Sequence, residues 1–137
     1  MSNKTKQLHK SGEDYLEAIL ILTKRIGMVR STDLADFMGY TKASISRAVS
    51  ILKKDGFLIV ADDGSLWLTA NGKEIAQKIY ERHNFFRDTL IEAGVDPKTA
   101  DNEACQLEHV ISEESFERLK EHTLTTNILV ENKRKMS

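Results

Sequence analysis

Apolar side chains first recur at helical spacing at Tyr15, Ala18, Ile19, Leu22 and Ile26, an i, i+3, i+4, i+7, i+11 series that predicts one apolar helix face from about Ser11. Gly27 supplies the stop. Residues 1–10 (MSNKTKQLHK) are polar and basic without periodicity and predict a frayed arm. Ser31 is a favourable N-cap for a short second helix through Leu34, Ala35 and Met38, and Gly39 ends it. Thr41 caps a third helix whose Ile45, Ala48, Val49 and Leu52 share one side, closed by Asp55 and Gly56. Two β-rich runs follow, FLIVA from Phe57 and SLWLT from Ser65. Asp62, Asp63 and Gly64 between them predict a hairpin.

Beyond the hairpin the pattern returns to helices. A long one is expected from about Ala70 to Glu92, with Ile75, Ile79, Phe86 and Leu90 inward and Gly94 as its end. Asp96 and Pro97 start another by cap and first-position preference, and Ser112 begins a further one, EESFERLKEH. No internal repeat or low-complexity linker separates these parts. The fold class is therefore mainly α: an N-terminal winged helix-turn-helix over residues 1–70, then a helical domain over residues 71–137.

Composition narrows the function. At 137 residues the chain excludes a large multidomain enzyme, and 40% hydrophobic with 30% charged residues is too apolar for disorder. The net charge of −1 gives no global basic field, but it conceals a difference between halves. Residues 1–80 carry +3 and residues 81–137 carry −4. A single cysteine cannot close an intramolecular disulfide, and no leader pattern opens the chain, which predicts a cytoplasmic protein. No apolar run approaches the roughly 20 residues of a membrane span, so no membrane partner is expected.

Three short helices and a hairpin, in that order, place the third helix as the one that enters the major groove of DNA. Its outward side carries small hydroxyls and cations suited to base edges and phosphates. Thr41, Lys42, Ser44, Ser46 and Arg47 are the candidate contacts, joined by Ser31 and Thr32, whose hydroxyls and backbone N–H groups open the preceding helix. Read singly, such cations make an ordinary solvated face. The order of the elements favours nucleic acid.

In the second half, Asp101, Cys105, Glu108 and His109 fall at i, i+4, i+7, i+8, about 100° of helical arc, opposite Ala104, Leu107, Val110 and Ile111. From Thr99 to Glu117 there are six acids and no Lys or Arg, an anionic face without countercharge. His83 projects from the apolar stripe of the long helix, and Asp14 and Glu17 share a face of the first helix. His83 alone reads as a satisfied core histidine, and the two acids alone as surface groups. Together Asp14, Glu17, His83, Cys105, Glu108 and His109 would give a mixed oxygen, nitrogen and sulfur shell. Carboxylate and imidazole favour Mn²⁺ or Fe²⁺, and the thiolate adds pull toward Fe²⁺, Co²⁺, Ni²⁺ or Zn²⁺.

The motif C-x-x-E-H-V at Cys105, Glu108 and His109, supported by EDYLE at Glu13 and RHNFF at His83, resembles the metal-dependent repressors typified by the diphtheria toxin repressor and the manganese transport regulator. The resemblance runs from Glu13 to Ser112. It implies a non-enzymatic cytoplasmic homodimer that binds a palindromic double-stranded operator when Mn²⁺ or Fe²⁺ is bound, repressing metal-uptake genes. Co²⁺, Ni²⁺ or Zn²⁺ would substitute in vitro. It also implies that residues 71–137 form the metal-binding and dimerisation domain, in the short form without an SH3-like third domain. Asp14 matches the manganese branch and Cys105 the iron branch, which leaves the metal open between the two. Arg87 stands where the family often has a glutamate and Asp101 where the iron branch has histidine. An Arg87–Asp101 pair is expected in place of an ancillary metal site. Two other readings stand beside this one: a metal-independent winged-helix regulator sensing a small molecule or oxidant through Cys105, and a metallohydrolase, which lacks an evident general base outside the ligand set.

Overall fold

The computed structural model describes residues 10–136, so the arm expected over residues 1–10 lies, Lys10 apart, outside the described residues. The chain divides into two compact units, one ending at Tyr80 and the other beginning at Glu81.

The first unit opens with α1 (Lys10–Ile26), β1 (Val29–Arg30), α2 (Ser31–Met38) and α3 (Lys42–Lys54). It continues through β2 (Leu58–Val60) and β3 (Ser65–Leu68) into the first half of α4 (Ala70–Glu92). The stripe expected on α1 is wider than its spacing implies. Leu16 to Leu20 form an unbroken buried run that includes Glu17, whereas Ile26 is exposed. The cause is tertiary: α2, α3, β1 and β3 all pack on α1, so it is a central helix rather than one lying on a surface.

α2 begins at Ser31 itself, so its N-cap lies one residue before the expected one. Arg30 is the extended residue at the N-cap, and the Asp33 carboxylate accepts its backbone N–H at 2.9 Å. Gly39 ends the helix with φ +71°, a left-handed position natural to glycine, and its N–H returns to the Ala35 carbonyl. On α3, Thr41 is the cap as expected, its hydroxyl accepting the Ser44 N–H at 3.1 Å. Ile45, Val49 and Leu52 are buried and Ala48 half-buried.

The hairpin forms with Ile59 opposite Trp67. β1 adds a third, unexpected strand, pairing Val29 with Leu66 in the order β1-β3-β2. Two residues carry no alternation to read. At the hairpin tip the Asp63 carboxylate accepts the Ser65 hydroxyl at 2.6 Å and the Ser65 N–H at 2.9 Å. Those bonds hold its carboxyl below the usual aspartate range. After β3, Thr69 donates its hydroxyl to the Gly56 carbonyl at 2.7 Å and accepts the Gly72 N–H at 3.1 Å, seating the first turn of α4. A Cβ at Gly72 would stand 2.1 Å from the Phe57 carbonyl oxygen, so no side chain fits there.

In the second unit, α4 continues to Glu92 and is followed by α5 (Pro97–Leu107) and α6 (Glu113–Met136). The expected caps form: Asp96 accepts the Thr99 N–H at 3.2 Å and Ser112 accepts the Ser115 N–H at 3.1 Å. Phe116 is buried edge-on against Phe85, their ring centroids 5.4 Å apart, with Phe86 beside them. α6 runs well past the expected EESFERLKEH segment and exposes Leu124, Ile128, Leu129 and Val130. No described helix is long and apolar enough to cross a membrane.

Candidate metal centre and nucleic-acid interface

Of the seven candidate DNA contacts, Thr32, Thr41, Lys42, Ser46 and Arg47 are exposed, and Ser31 and Ser44 are half-buried. Two of them have local duties. The Thr41 hydroxyl both accepts the Ser44 N–H and donates to the Ser44 hydroxyl at 3.0 Å, so this pair holds the start of α3. Lys42, Ser46 and Arg47 form the outward face of that helix, with Lys53 and Lys54 exposed at its end.

In the second unit, the structure corrects the reading of one helix that carries Asp101, Cys105, Glu108 and His109 together. α5 ends at Leu107, and Glu108 is its C-cap. The Val110 N–H reaches back to the Leu107 carbonyl at 3.2 Å, a three-residue spacing that tightens the end of the helix. The faces change as a result. Glu108 is 0% exposed, whereas Leu107 is 38% and Val110 78% exposed. Arg82 holds this turn, donating from Nη1 to the carbonyls of Glu108 at 3.2 Å and Ile111 at 2.9 Å while its guanidinium lies over the Phe116 ring.

That turn carries Glu108 to His83. His83 Nδ1 lies 3.1 Å from Glu108 Oε2, and His83 Nε2 lies 2.7 Å from Asp101 Oδ1. His109 Nε2 stands 3.4 Å from Glu108 Oε1, within ion-pair reach but without hydrogen-bond geometry. Glu108 Oε1 is consequently a buried oxygen with no hydrogen-bond partner. Leaving a buried carboxylate oxygen unmatched is costly, and a cation is the partner that such an atom lacks. His83, Cys105 and Glu108 each offer a ligand atom, all within 4.8 Å of one another. The trio of imidazole, thiol and carboxylate suits a divalent first-row metal.

Asp14 and Glu17 belong to the first unit, where Asp14 is half-buried and Glu17 is 7% exposed. Among the described residues, Glu17 and Glu108 are the two buried carboxylates. The expected Arg87–Asp101 pair does not form: Arg87 pairs with its neighbour Asp88 at 3.1 Å, and Asp101 pairs with His83. Sequence reasoning placed Asp101 on the polar face without a ligand role and missed Arg82. The signal for Arg82 is slight, a cation one residue before His83 whose carbonyl partners lie 26 and 29 residues away.

Comparison with known proteins bears on both halves of the chain. Residues 7–66 match the family model of the iron dependent repressor N-terminal DNA binding domain, and residues 69–125 match that of the iron dependent repressor metal binding and dimerisation domain. An uncharacterized HTH-type transcriptional regulator of Methanocaldococcus jannaschii is 35% identical across 82% of this chain and 92% of its own length.

This chain belongs to the family of metal-dependent transcriptional repressors.

Within that repressor family, the HTH-type transcriptional regulator MntR of Bacillus subtilis is 33% identical over 80% of this chain and 77% of its own. A solved manganese-dependent transcriptional repressor in complex with manganese superposes with a TM-score of 0.71 at 26% identity. That match covers 81% of this chain and 51% of the solved one, so the chain spans about half the length of that relative. Family members are DNA-binding transcriptional regulators, not enzymes, which disposes of the metallohydrolase reading. A metal-independent sensor is likewise not favoured, because the second half matches a metal-binding repressor domain.

Proposed function

We propose that a divalent metal, Mn²⁺ or Fe²⁺, is held by Asp14, Glu17, His83, Cys105, Glu108 and His109 and switches this chain into its DNA-binding state. The observation that carries the reading is Glu108 Oε1, a buried oxygen with no hydrogen bond beside an imidazole and a thiol. The metal would supply positive charge there. Asp14 and Glu17 enter by their chemistry and by the family resemblance, and the burial of Glu17 supports them. The manganese-bound state of the solved manganese-dependent repressor favours Mn²⁺. Cys105 adds affinity for Fe²⁺ and allows Co²⁺, Ni²⁺ or Zn²⁺ to substitute in vitro.

The DNA reader comprises Ser31, Thr32, Thr41, Lys42, Ser44, Ser46 and Arg47. Thr41 and Ser44 set the start of α3, and Lys42, Ser46 and Arg47 face the duplex. Residues 1–70 are assigned to DNA binding and 71–137 to metal binding and dimerisation. The functional form is a cytoplasmic homodimer on a palindromic operator, repressing metal-uptake genes. Metal-free, the carboxylates of the ligand set repel one another and leave α1 loosely held. Metal binding would pin α1, and with it the reader that follows.

Operator binding across Mn²⁺, Fe²⁺, Co²⁺ and Zn²⁺, at fixed salt and against chelator, tests this. Coupling on the usual scale of about 1 to 3 kcal/mol gives a 5- to 150-fold gain in DNA affinity. Equal operator affinity with metal and with chelator would sink the proposal.

A further inference from the structure

The first unit places exposed aromatic and aliphatic side chains near the α1–β1 turn, and α6 leaves aliphatic positions uncovered, but neither surface carries anything that identifies an occupant. The second unit offers a more definite feature. His83 has carboxylates at both ring nitrogens, and the two are unlike. Glu108, at Nδ1, is fully buried and retains an oxygen without a hydrogen bond. Asp101, at Nε2, is 57% exposed, and its bond to His83 is the shorter at 2.7 Å.

From this asymmetry we infer that Asp101 is a positioning residue: it accepts the Nε2–H of His83, fixes the ring plane and leaves Nδ1, the nitrogen beside Glu108, as the metal-binding one. The inference rests on the proposed function and assigns Asp101 a role outside the ligand set. Its physical basis is general. A ligating histidine donates its other ring N–H to a carboxylate or carbonyl, which sets the tautomer and raises the basicity of the ligating nitrogen. Asp101 lies one turn before Cys105 on α5, so one helix supplies both a ligand and the group that orients a ligand on α4. Arg87 leaves Asp101 to this task by pairing with Asp88. A guanidinium at Asp101 would compete for the carboxylate.

The test uses the full chain and two readouts. Mn²⁺ affinity is measured for wild type, Asp101→Ala, Asp101→Asn and Glu103→Ala, the last an exposed acid on the same helix. Removing an outer partner of a ligating histidine costs about 10- to 100-fold in metal affinity, and that is the loss expected for Asp101→Ala. Asp101→Asn keeps an oxygen that can accept Nε2–H and recovers most of it, and Glu103→Ala changes nothing. The second readout is the ¹⁵N-edited spectrum of the His83 ring. A protected Nε2–H proton is expected in the metal-free and Zn²⁺-loaded wild type and in Asp101→Asn, and is expected to vanish in Asp101→Ala.

Loss of that proton on Zn²⁺ loading would show that the metal takes Nε2 and would overturn the assignment. So would an Asp101→Ala affinity equal to wild type, or one bound ion fewer per chain in that variant, which would make Asp101 a ligand. His83→Ala separates the two levels. If it leaves Mn²⁺ affinity unchanged, the proposed ligand set fails and the inference with it. If it weakens Mn²⁺ while Asp101→Ala does not, only the positioning role falls.

Discussion

At the scale of single residues, Glu108 shows how an unfavourable placement can serve binding. Its carboxylate is fully buried, one oxygen meets His83 at 3.1 Å, and the other has no hydrogen bond. Such a group stabilises the complex with a cation at the expense of the metal-free fold. Glu108→Gln should therefore leave the metal-free melting temperature unchanged or raised, while abolishing the rise that Mn²⁺ produces in wild type. Saturation at a hundred times the dissociation constant contributes about 2.7 kcal/mol, readily seen by calorimetry. If the variant kept the full Mn²⁺-induced rise, Glu108 would not be a ligand. That Cys105, Glu108 and His109 are metal-ligating types grouped within a few residues, on a stretch without Lys or Arg, was legible in the sequence. The burial of Glu108 was not, because it depends on α5 ending at Leu107 and on Arg82 gripping the turn that follows.

Among the elements, α3 and α4 form for different reasons. α3 is locally specified: Thr41 caps it, and Ile45, Val49 and Leu52 recur at its buried face. The start of α4 depends on a close approach, with Gly72 set against the Phe57 carbonyl. Gly72→Ala would raise helix propensity in isolation, yet a Cβ 2.1 Å from a backbone oxygen forces the helix away from its seat. The expected result is a net loss of about 1 to 3 kcal/mol, read as a lower urea midpoint. A midpoint at or above wild type would mean that the junction yields without cost. β1 was invisible in the sequence for a related reason. Two residues become a strand only because β3 lies beside them.

For the whole molecule, what matters is the coupling of two functions carried by units of opposite charge. Residues 1–80 carry +3 and contain the DNA reader, and residues 81–137 carry −4 and contain the His83, Cys105 and Glu108 cluster. Linkage requires that operator DNA tighten Mn²⁺ by the same factor by which Mn²⁺ tightens DNA. Titration calorimetry with and without operator measures both sides, and unequal factors would exclude a single coupled equilibrium. Arg47→Ala should weaken operator and non-operator DNA alike and lower the salt slope by about one, if Arg47 meets a phosphate. Selective loss of one operator base preference would place it on a base edge instead.

By itself the sequence determined what local rules govern: the order of helices and hairpin, the caps at Thr41, Asp96 and Ser112, and the set of donor types from which a metal shell can be drawn. Each depends on near neighbours in the chain, where spacing maps directly onto geometry. Tertiary structure decided which of those groups lost water and which partners they gained. It buried Glu17 and Glu108, exposed Leu107 and Val110, and gave Asp101 to His83 rather than to Arg87. The placement of Glu108 and Asp101 turns on contacts across 18 to 29 residues, set by Arg82 and His83, and the burial of Glu17 on the elements of the first unit that pack on α1. No periodicity records a distance of that kind.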